Sequence, residues 1–266
     1  MSMTPFPYFA DIVKKRFERR VDSRDPGLIS MSSLGHCTRQ LAYRHHGVVS
    51  EPFNWRTMAI FADGDMAHTR LRLELVNGLI EEKSCYRLEH QESEVELEGI
   101  VGHVDGMLMH DSSICQMTQH KDLMLEVKSM NDRAFSEAKK TGEIGYEYRC
   151  QLSGYLAAAK MEQAVVLLKN KNNSDLLSFL YTVEHDIIKV RLDAIESVIV
   201  SNDAEEVPRE YGPNARGNLP WQCGYCPFVT LCWRHEGVTE KKEHHYYVNM
   251  KQVAKGIKQD DKETKE

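Results

Sequence analysis

Two stretches in the middle of the chain predict β-strands: residues 94–109 alternate apolar and polar residues, and residues 123–129 indicate a partly buried strand. Between them, the His-Asp-Ser-Ser sequence at 110–113 favours a turn. Residues 57–79 and 147–160 flank the strands and carry apolar residues at helical spacing. Because strands between amphipathic helices bury their faces against those helices, this pattern predicts a mixed α/β core.

The remaining periodic segments predict a small set of further elements. Ser32 and Ser33 favour the beginning of a helix, and Gly47 favours its end. This helix is predicted over 31–47. The other predicted elements are a basic amphipathic helix over 8–20, a hairpin of strands 164–169 and 176–183, a helix over 185–200, compact turns over 220–233 and a charged, flexible tail over 251–266.

Composition narrows the class of protein without identifying it. The 266 residues are 41% hydrophobic, and the formal net charge of −6 argues against a protein that coats nucleic acid nonspecifically. Apolar runs such as 164–168 are too short to span a membrane, so we expect no membrane partner. The first residues lack a basic start followed by an apolar core, which predicts a cytoplasmic location where thiols stay reduced. Seven cysteines in that setting indicate metal binding by some of them.

Asp105 lies near the end of one predicted strand, and Glu126 and Lys128 lie in the next. Alternate residues of a strand point to the same face, so Glu126 and Lys128 project together, and Asp105 joins them if the strands pair through the turn. Two carboxylates with the Val127 carbonyl form a hard oxygen site suited to Mg²⁺ or Mn²⁺. A solvated strand face with a chance Glu/Lys pair is the alternative, and on these residues alone both interpretations stay open.

Asp105, Glu126 and Lys128 resemble the core motif of the PD-(D/E)xK nuclease superfamily. In its RecB-like branch, a helix before the core supplies a histidine in a G-x-x-x-H setting, and Gly64 and His68 match that setting. The resemblance implies a central mixed β-sheet flanked by helices, the restriction-endonuclease-like core. His68 also lies on an apolar helix stripe, where a buried structural histidine is the ordinary alternative.

A helix after the lysine carries glutamine and tyrosine in the same branch, and Gln151 and Tyr155 match that pattern. Their spacing of four also permits the two side chains simply to bond each other on one helix face. By resemblance, the metal ligands are His68, Asp105, Glu126 and the Val127 carbonyl, and the catalytic residues are Asp105, Glu126, Lys128, Gln151 and Tyr155.

Three cysteines stand within ten residues in the pattern Cys223-x2-Cys226-x5-Cys232. Thiolates at such spacing converge on one soft metal centre, and Cys37 is the best candidate for a fourth ligand. The spacing alone slightly favours zinc over an iron–sulfur cluster.

The segment around Cys37 resembles the S…C-x-R-x-x-x-Y segment of RecB-like and CRISPR-associated RecB-like exonucleases. That family holds a 4Fe-4S cluster with one N-terminal cysteine and a C-terminal C-x2-C-x5-C trio. The resemblance implies that Cys37, Cys223, Cys226 and Cys232 bind such a cluster, a clasp that joins the N- and C-terminal segments over the core. The other cysteines, Cys85, Cys115 and Cys150, are expected to be ordinary buried thiols.

Basic residues near these motifs are candidates for DNA contacts. Guanidinium groups suit phosphates, and tyrosines such as Tyr43, Tyr146 or Tyr148 can stack on single-stranded bases. A normal solvated surface explains each residue singly. The candidates are Arg39, Arg44, Arg133 and Arg149, with Lys139 and Lys140 beside them.

Together these features predict one nuclease domain over 1–250, with a core over about 57–200 and a metal-cluster lobe from 31–47 and 220–235. The predicted activity is that of a Mg²⁺- or Mn²⁺-dependent DNA exonuclease acting on single strands or duplex ends. By analogy, its setting is recombination, repair or phage-type DNA metabolism. Two alternatives stay open: a CRISPR adaptation nuclease that trims DNA for integration, and a non-catalytic DNA-binding module with a metal cluster.

Overall fold

The computed structural model describes residues 8–18, 28–114 and 121–253, which form two compact units. Among these residues, the first unit contains 8–18, 29–35, 54–114 and 121–192, and the second contains 28, 36–53 and 193–253. The prediction of one domain over 1–250 stays a prediction, because compactness alone does not test whether the units fold or act separately.

The elements follow one another from helix to sheet to helix. The helices are α1 (Tyr8–Glu18), α2 (Thr38–His45), α3 (Trp55–Glu81), α4 (Asp132–Thr141), α5 (Tyr146–Ala158), α6 (His185–Val200), α7 (Trp221–Gly224) and α8 (Val229–Cys232). The strands are β1 (Tyr86–Glu89), β2 (Glu94–Leu97), β3 (Ile100–His103), β4 (Gly106–His110), β5 (Leu123–Met130), β6 (Gln163–Asn170), β7 (Leu176–Thr182), β8 (Thr239–Lys242) and β9 (His245–Tyr247).

A five-stranded mixed sheet forms the centre of the first unit, in the order β1-β4-β5-β6-β7. Only the β5–β6 pair is parallel within this sheet; the other neighbours are antiparallel. Helix α3 packs against β1 and β5, while α4 and α5 contact β6. The predicted fold class, a mixed α/β core with helices flanking a central mixed sheet, is therefore confirmed.

The central strand β5 separates apolar from charged side chains by strand alternation. Leu125 and Val127 are fully buried and pack with Leu71 of α3 in one apolar cluster. Because successive strand residues point to opposite faces, Glu126 and Lys128 point away from that cluster. The apolar face thus packs in the interior, and the opposite face of β5 carries the charged side chains of the candidate site.

A tight hairpin lies between β1 and β4 along the chain. Strands β2 and β3 pair in a separate two-stranded sheet, and their turn residues Glu98 and Gly99 have φ values of 50° and 81°. Positive φ at both central residues is the geometry of a type I′ hairpin turn, which glycine adopts without steric cost. After β3 the chain passes through Val104 and Asp105 into β4, so Asp105 lies between the two sheets.

The continuous helix predicted for 31–47 is wrong. Residues Met31–Ser33 form a 3-10 turn, and α2 begins only at Thr38. Gly35 lies so close to α5 that a Cβ there would be 2.5 Å from the Cα of Glu147, and this close approach redirects the backbone. Only the last part of the segment is helical: α2 ends at His45, and Gly47, two residues further on, has a positive φ of 66°.

The second unit is built from short elements around a small apolar cluster. Val229, Trp233 and Val248 are its buried members. Helices α7 and α8 occupy the segment predicted as compact turns, and β8 and β9, which the sequence pattern did not predict, pair beside them.

Most of the predicted charged tail, from residue 254 on, lies outside the described residues, as do residues 19 and 20 and Cys115. Within the part of the chain that the structure describes, no helix has both the length and the apolar character needed to cross a membrane.

Candidate functional site

Asp105 is buried where β4 begins. The ladder between β4 and β5 starts at the pair Gly106 and Leu125, and the N–H of Val127, two residues further along β5, lies beyond its end. This N–H donates to Asp105 Oδ2 at 2.7 Å instead. Burial alone would raise the pKa of Asp105, but the His68 ring and the Val127 N–H lower it below its usual value. The carboxylate is thus held ionised at the sheet edge.

Glu126 and Lys128 form a buried ion pair on the opposite face of β5 from the apolar cluster. Lys128 Nζ lies 2.6 Å from Glu126 Oε1 and 5.3 Å from the centre of the Tyr148 ring. Burial and the nearby charge of Asp105 raise the pKa of Glu126, against the opposing effect of Lys128. Burial would lower the pKa of Lys128, but the carboxylate of Glu126 raises it, so the ammonium stays charged. The two carboxylates therefore share one site, in which each faces a cationic side chain of the protein.

His68 lies beside Asp105, while its predicted role as a metal ligand stays a prediction. Its Nδ1 lies 3.2 Å from Asp105 Oδ1, and its side chain is 26% exposed. A histidine that donates through Nδ1 can present Nε2 to another group, the arrangement found where carboxylates orient metal-binding histidines.

Sequence reasoning missed Arg72, which follows His68 by one helical turn on α3. Its Nη1 lies 3.4 Å from Asp105 Oδ1 and 3.4 Å from the Asp105 main-chain oxygen, and it also forms an ion pair with Glu92. The sequence offered one signal for Arg72, its position next to the apolar Leu71 on the predicted helix. A guanidinium buried there requires partners of opposite charge or hydrogen-bond acceptors.

Gln151 and Tyr155 lie buried on α5. Gln151 Nε2 is 3.5 Å from the Tyr155 hydroxyl oxygen, the mutual contact that their spacing of four permits. Burial, with the negative charges of Glu126 and Asp105, raises the pKa of Tyr155 to about 12. The phenol is therefore protonated at neutral pH, and it lies close enough to the two acids for their charge to raise its pKa.

Gly102 of β3 makes room for the Tyr155 ring. A Cβ at this position would lie 2.5 Å from Tyr155 Cε1 and 2.5 Å from Met31 Cβ. We expect Gly102→Ala to lower the free energy of unfolding by about 1–3 kcal/mol, the usual cost of overpacking. Urea denaturation measures this change. Gly78→Ala is the matched control, because a Cβ there meets nothing within 4 Å; equal stability of the two variants would contradict the prediction.

The carboxylate oxygens of Asp105 and Glu126 are of the kind that a hard divalent cation prefers. Their side chains are not arranged around a common metal position in this structure. Within residues 8–18, 28–114 and 121–253, no three His, Cys, Asp or Glu side chains are arranged to hold a metal ion. Mg²⁺ needs fewer, since it is commonly bound through one or two carboxylates, waters and substrate phosphates. In this structure the acids instead contact cations of the protein: Lys128 on Glu126, and Arg72 on Asp105.

The four predicted cluster ligands all lie in the second unit. Cys37, Cys223, Cys226 and Cys232 line one small cavity. Burial raises the pKa of Cys223 and of Cys226 to about 12, so these thiols are neutral until a metal displaces their protons. No disulfide joins the cysteines of the described ranges, in which Cys85 is half-buried and Cys150 is buried.

Two buried donors beside these thiols fit an anionic occupant. Tyr43 Oη and Arg209 Nε line the same cavity, and neither has a hydrogen-bond partner among the residues that the structure describes. The remaining Arg209 nitrogens donate to the Cys232 carbonyl at 2.5 Å and to Glu236 at 2.8 Å. Buried unsatisfied donors are costly, and a metal centre ligated by thiolates would accept both bonds.

The predicted DNA-contacting arginines lie in different settings. Arg149 forms a two-pronged ion pair with Glu184, and its Nε lies 2.7 Å from Glu184 Oε1. Arg39 donates to the main-chain oxygens of Glu205 and Val207 at 2.8 and 2.6 Å. Arg44 is half-buried, and Arg133 is exposed on α4 together with Lys139 and Lys140. Contacts with DNA by any of them stay predictions.

Comparison with known proteins finds matches among solved structures. No family model matches the chain, and no curated protein matches it. An alkaline exonuclease (LHK-Exo) from Laribacter hongkongensis is similar over 70% of this chain and 90% of that chain, with 12% identity and a TM-score of 0.48. A phage-related exonuclease from Haemophilus somnus 129PT is similar over 64% of this chain and 91% of that chain, with 15% identity and a TM-score of 0.37.

The solved structure of SSO0001 is similar over 84% of this chain and 96% of that chain, with 16% identity and a TM-score of 0.44. At these identities and TM-scores, such similarity carries no argument about activity. The resemblance to iron–sulfur RecB-like exonucleases stays a prediction.

Proposed function

We propose that this chain is a metal-dependent DNA nuclease whose reaction centre is formed by Asp105, Glu126 and Lys128. The observation that supports this proposal is the buried pair of carboxylates at the sheet edge, one bound by the Val127 N–H at 2.7 Å and the other by Lys128 at 2.6 Å. A solvated strand face, the ordinary alternative, would leave these groups exposed, whereas Asp105 is 8% and Glu126 is 3% exposed.

Asp105, Glu126 and the Val127 carbonyl would hold Mg²⁺ or Mn²⁺, with His68 as a further ligand or as the group that orients Asp105. A divalent cation there polarises a phosphate and lowers the pKa of a water molecule when bound. The carboxylates contribute fixed negative charge, and the ionised state of Asp105 requires no proton release before a cation binds.

Lys128 would stabilise negative charge on the phosphoryl oxygens. Its ammonium keeps its proton because Glu126 lies 2.6 Å away, and the Tyr148 ring restrains its position. A fixed cation that faces developing charge in a partly dehydrated site lowers the barrier without reorganisation. Gln151 and Tyr155 would provide neutral hydrogen-bonding groups beside it.

DNA is the proposed substrate because exposed cations lie on the helix that follows the catalytic strand. Arg133, Lys139 and Lys140 are exposed on α4, which begins two residues after β5 ends. Lysine and arginine side chains bind phosphates without regard to base sequence, and such binding weakens steeply with salt. This surface suits a nuclease that accepts many sequences.

We further propose that Cys37, Cys223, Cys226 and Cys232 bind an iron–sulfur cluster. Their common cavity, and the two buried donors of Tyr43 and Arg209 that face it, support an anionic metal centre. A single zinc ion is the alternative occupant, and metal analysis distinguishes the two. Hydrolysis transfers no electrons, so the role proposed for the cluster is structural.

Within this proposal, cleavage from a DNA end is the finer prediction. With Mn²⁺ present, we expect linear single-stranded DNA to be degraded while covalently closed circles of equal sequence stay intact. Gel electrophoresis of both substrates, with Glu126→Gln as the inactive control, measures this difference.

If circles are cut as fast as linear strands, the protein is an endonuclease and the exonuclease prediction is wrong. If the wild-type protein cuts neither substrate with Mg²⁺ or Mn²⁺, the proposed nuclease function is wrong. DNA binding without cleavage would favour the alternative of a non-catalytic DNA-binding module, and the place in recombination, repair or CRISPR adaptation is a separate question of cellular context.

A further inference from the structure

Arg72 places a positive charge inside the carboxylate site. It is 10% exposed, and its Nη1 lies 3.4 Å from Asp105 Oδ1 and 3.4 Å from the main-chain oxygen of the same residue. It also pairs with Glu92, whose side chain is 58% exposed. The guanidinium is therefore shared between a buried carboxylate of the site and a carboxylate at the surface.

The two oxygens of Asp105 have different partners. Oδ2 accepts the Val127 N–H at 2.7 Å, a bond that the end of the β4–β5 ladder dictates. Oδ1 faces His68 at 3.2 Å and Arg72 at 3.4 Å. Oδ1 is thus the oxygen that remains for an incoming cation, and Arg72 is the permanent cation nearest to it.

From this geometry we propose that Arg72 is the internal counter-ion of Asp105, that it competes with the divalent cation for Oδ1, and that Glu92 sets the strength of this competition by drawing Arg72 away. The inference rests on the proposed metal-dependent function. Like charges in a partly buried site repel strongly, so a guanidinium engaged with Asp105 opposes metal binding, and one engaged with Glu92 opposes it less.

Glu92 suits the role of an exchangeable partner. It lies between β1 and β2 in a tight turn in which His90 and Glu92 have φ values of 51° and 55°. Because the Glu92 side chain is exposed, water can replace it as the partner of Arg72, which itself stays buried. The buried contact with Asp105 does not exchange with water so easily.

The two partners predict opposite effects on metal binding. Removing the charge of Glu92 leaves Arg72 on Asp105, so we expect Glu92→Gln to weaken Mn²⁺ binding by about threefold to tenfold. Removing the competitor should do the reverse, so we expect Arg72→Met to tighten Mn²⁺ binding by about tenfold and to lower the melting temperature of the metal-free protein. Arg72→Lys keeps the charge and should give an affinity between those of wild type and Arg72→Met.

Isothermal titration of the full chain with Mn²⁺, together with melting curves with and without Mn²⁺, measures both effects. Glu94→Gln is the matched control: it removes one exposed carboxylate two residues further along, and that carboxylate faces His103 at 3.8 Å. General loss of negative charge affects Glu92→Gln and Glu94→Gln alike, whereas competition by Arg72 affects only the former.

Equal Mn²⁺ affinities of Glu92→Gln and Glu94→Gln would overturn the proposal, and this comparison decides even if Arg72→Met fails to fold. Weaker Mn²⁺ binding by a folded Arg72→Met would also overturn it, because Arg72 would then support the ligands and not compete with the metal. Failure of the wild-type protein to bind Mn²⁺, or binding that survives Asp105→Ala, would instead reject the metal site on which the inference depends.

Discussion

Replacing Asp105 or Glu126 with alanine is expected to reduce DNA cleavage by about a thousandfold or more, because metal-mediated charge stabilisation contributes several kcal/mol to phosphodiester hydrolysis. Lys128→Ala should cause a comparable loss, since it removes the cation that we propose to stabilise charge on the phosphoryl oxygens. Single-turnover cleavage of end-labelled DNA with saturating Mn²⁺ measures the chemical step directly.

Folding must be separated from chemistry in these variants. Asp105→Ala leaves the Val127 N–H without its acceptor, which should cost about 1–3 kcal/mol of stability. Glu126→Gln keeps the shape of the side chain and is the cleaner test of the second acid. Glu96→Ala, at an exposed position of β2, is the control for loss of one negative charge. Near-normal cleavage by folded Asp105→Ala or Glu126→Gln would contradict the proposed reaction centre.

Protein purified without oxygen is expected to be brown and to contain iron and acid-labile sulfide. Replacing Cys37, Cys223, Cys226 or Cys232 with alanine should remove the colour and lower the melting temperature, because the binding free energy of a structural metal centre is also folding free energy. The colour is measured by absorbance at the thiolate-to-iron band, and the metal centre by iron and sulfide analysis. Thermal denaturation measures the change in melting temperature.

Cys85→Ala and Cys150→Ala are the matched controls for this experiment, since neither residue lines the cavity that the four cysteines share. Both variants should keep iron and sulfide. Stoichiometric zinc without iron in anaerobic preparations would show that the site is mononuclear. Loss of colour in the control variants to the same degree would contradict the assignment of these four ligands.

The local strand pattern predicted part of the arrangement that the structure shows. Alternation of side chains along a strand predicted that Glu126 and Lys128 share one face, and Asp105 was expected to join them if its strand paired with theirs through the turn, as β4 and β5 do. These outcomes depend on local periodicity and on one short connection, so neighbouring residues carry the necessary information.

Features that depend on contacts between distant segments were not predicted. The break between Met31–Ser33 and α2 arises from the close approach of Gly35 to Glu147, which no periodicity reveals. The pairing of Arg149 with Glu184 joins α5 to the residue before α6, whereas sequence position alone had suggested a DNA contact. Arg72 was missed because a helical arginine is normally solvated, and its burial depends on how α3 packs against the sheet.

Val127 joins the chemistry of the site to the interior of the first unit. Its N–H restrains Asp105, while its fully buried side chain packs with Leu71 and Leu108. The spacing of the two acids is therefore maintained by close packing. If the interior packed less tightly, the distance between the two carboxylates would vary, and few of the resulting arrangements could hold one cation. Activity should then be lost at a lower temperature than secondary structure. The temperature range of activity would thus be set by how closely an apolar cluster packs, although that cluster lies on the opposite face of β5 from the acids.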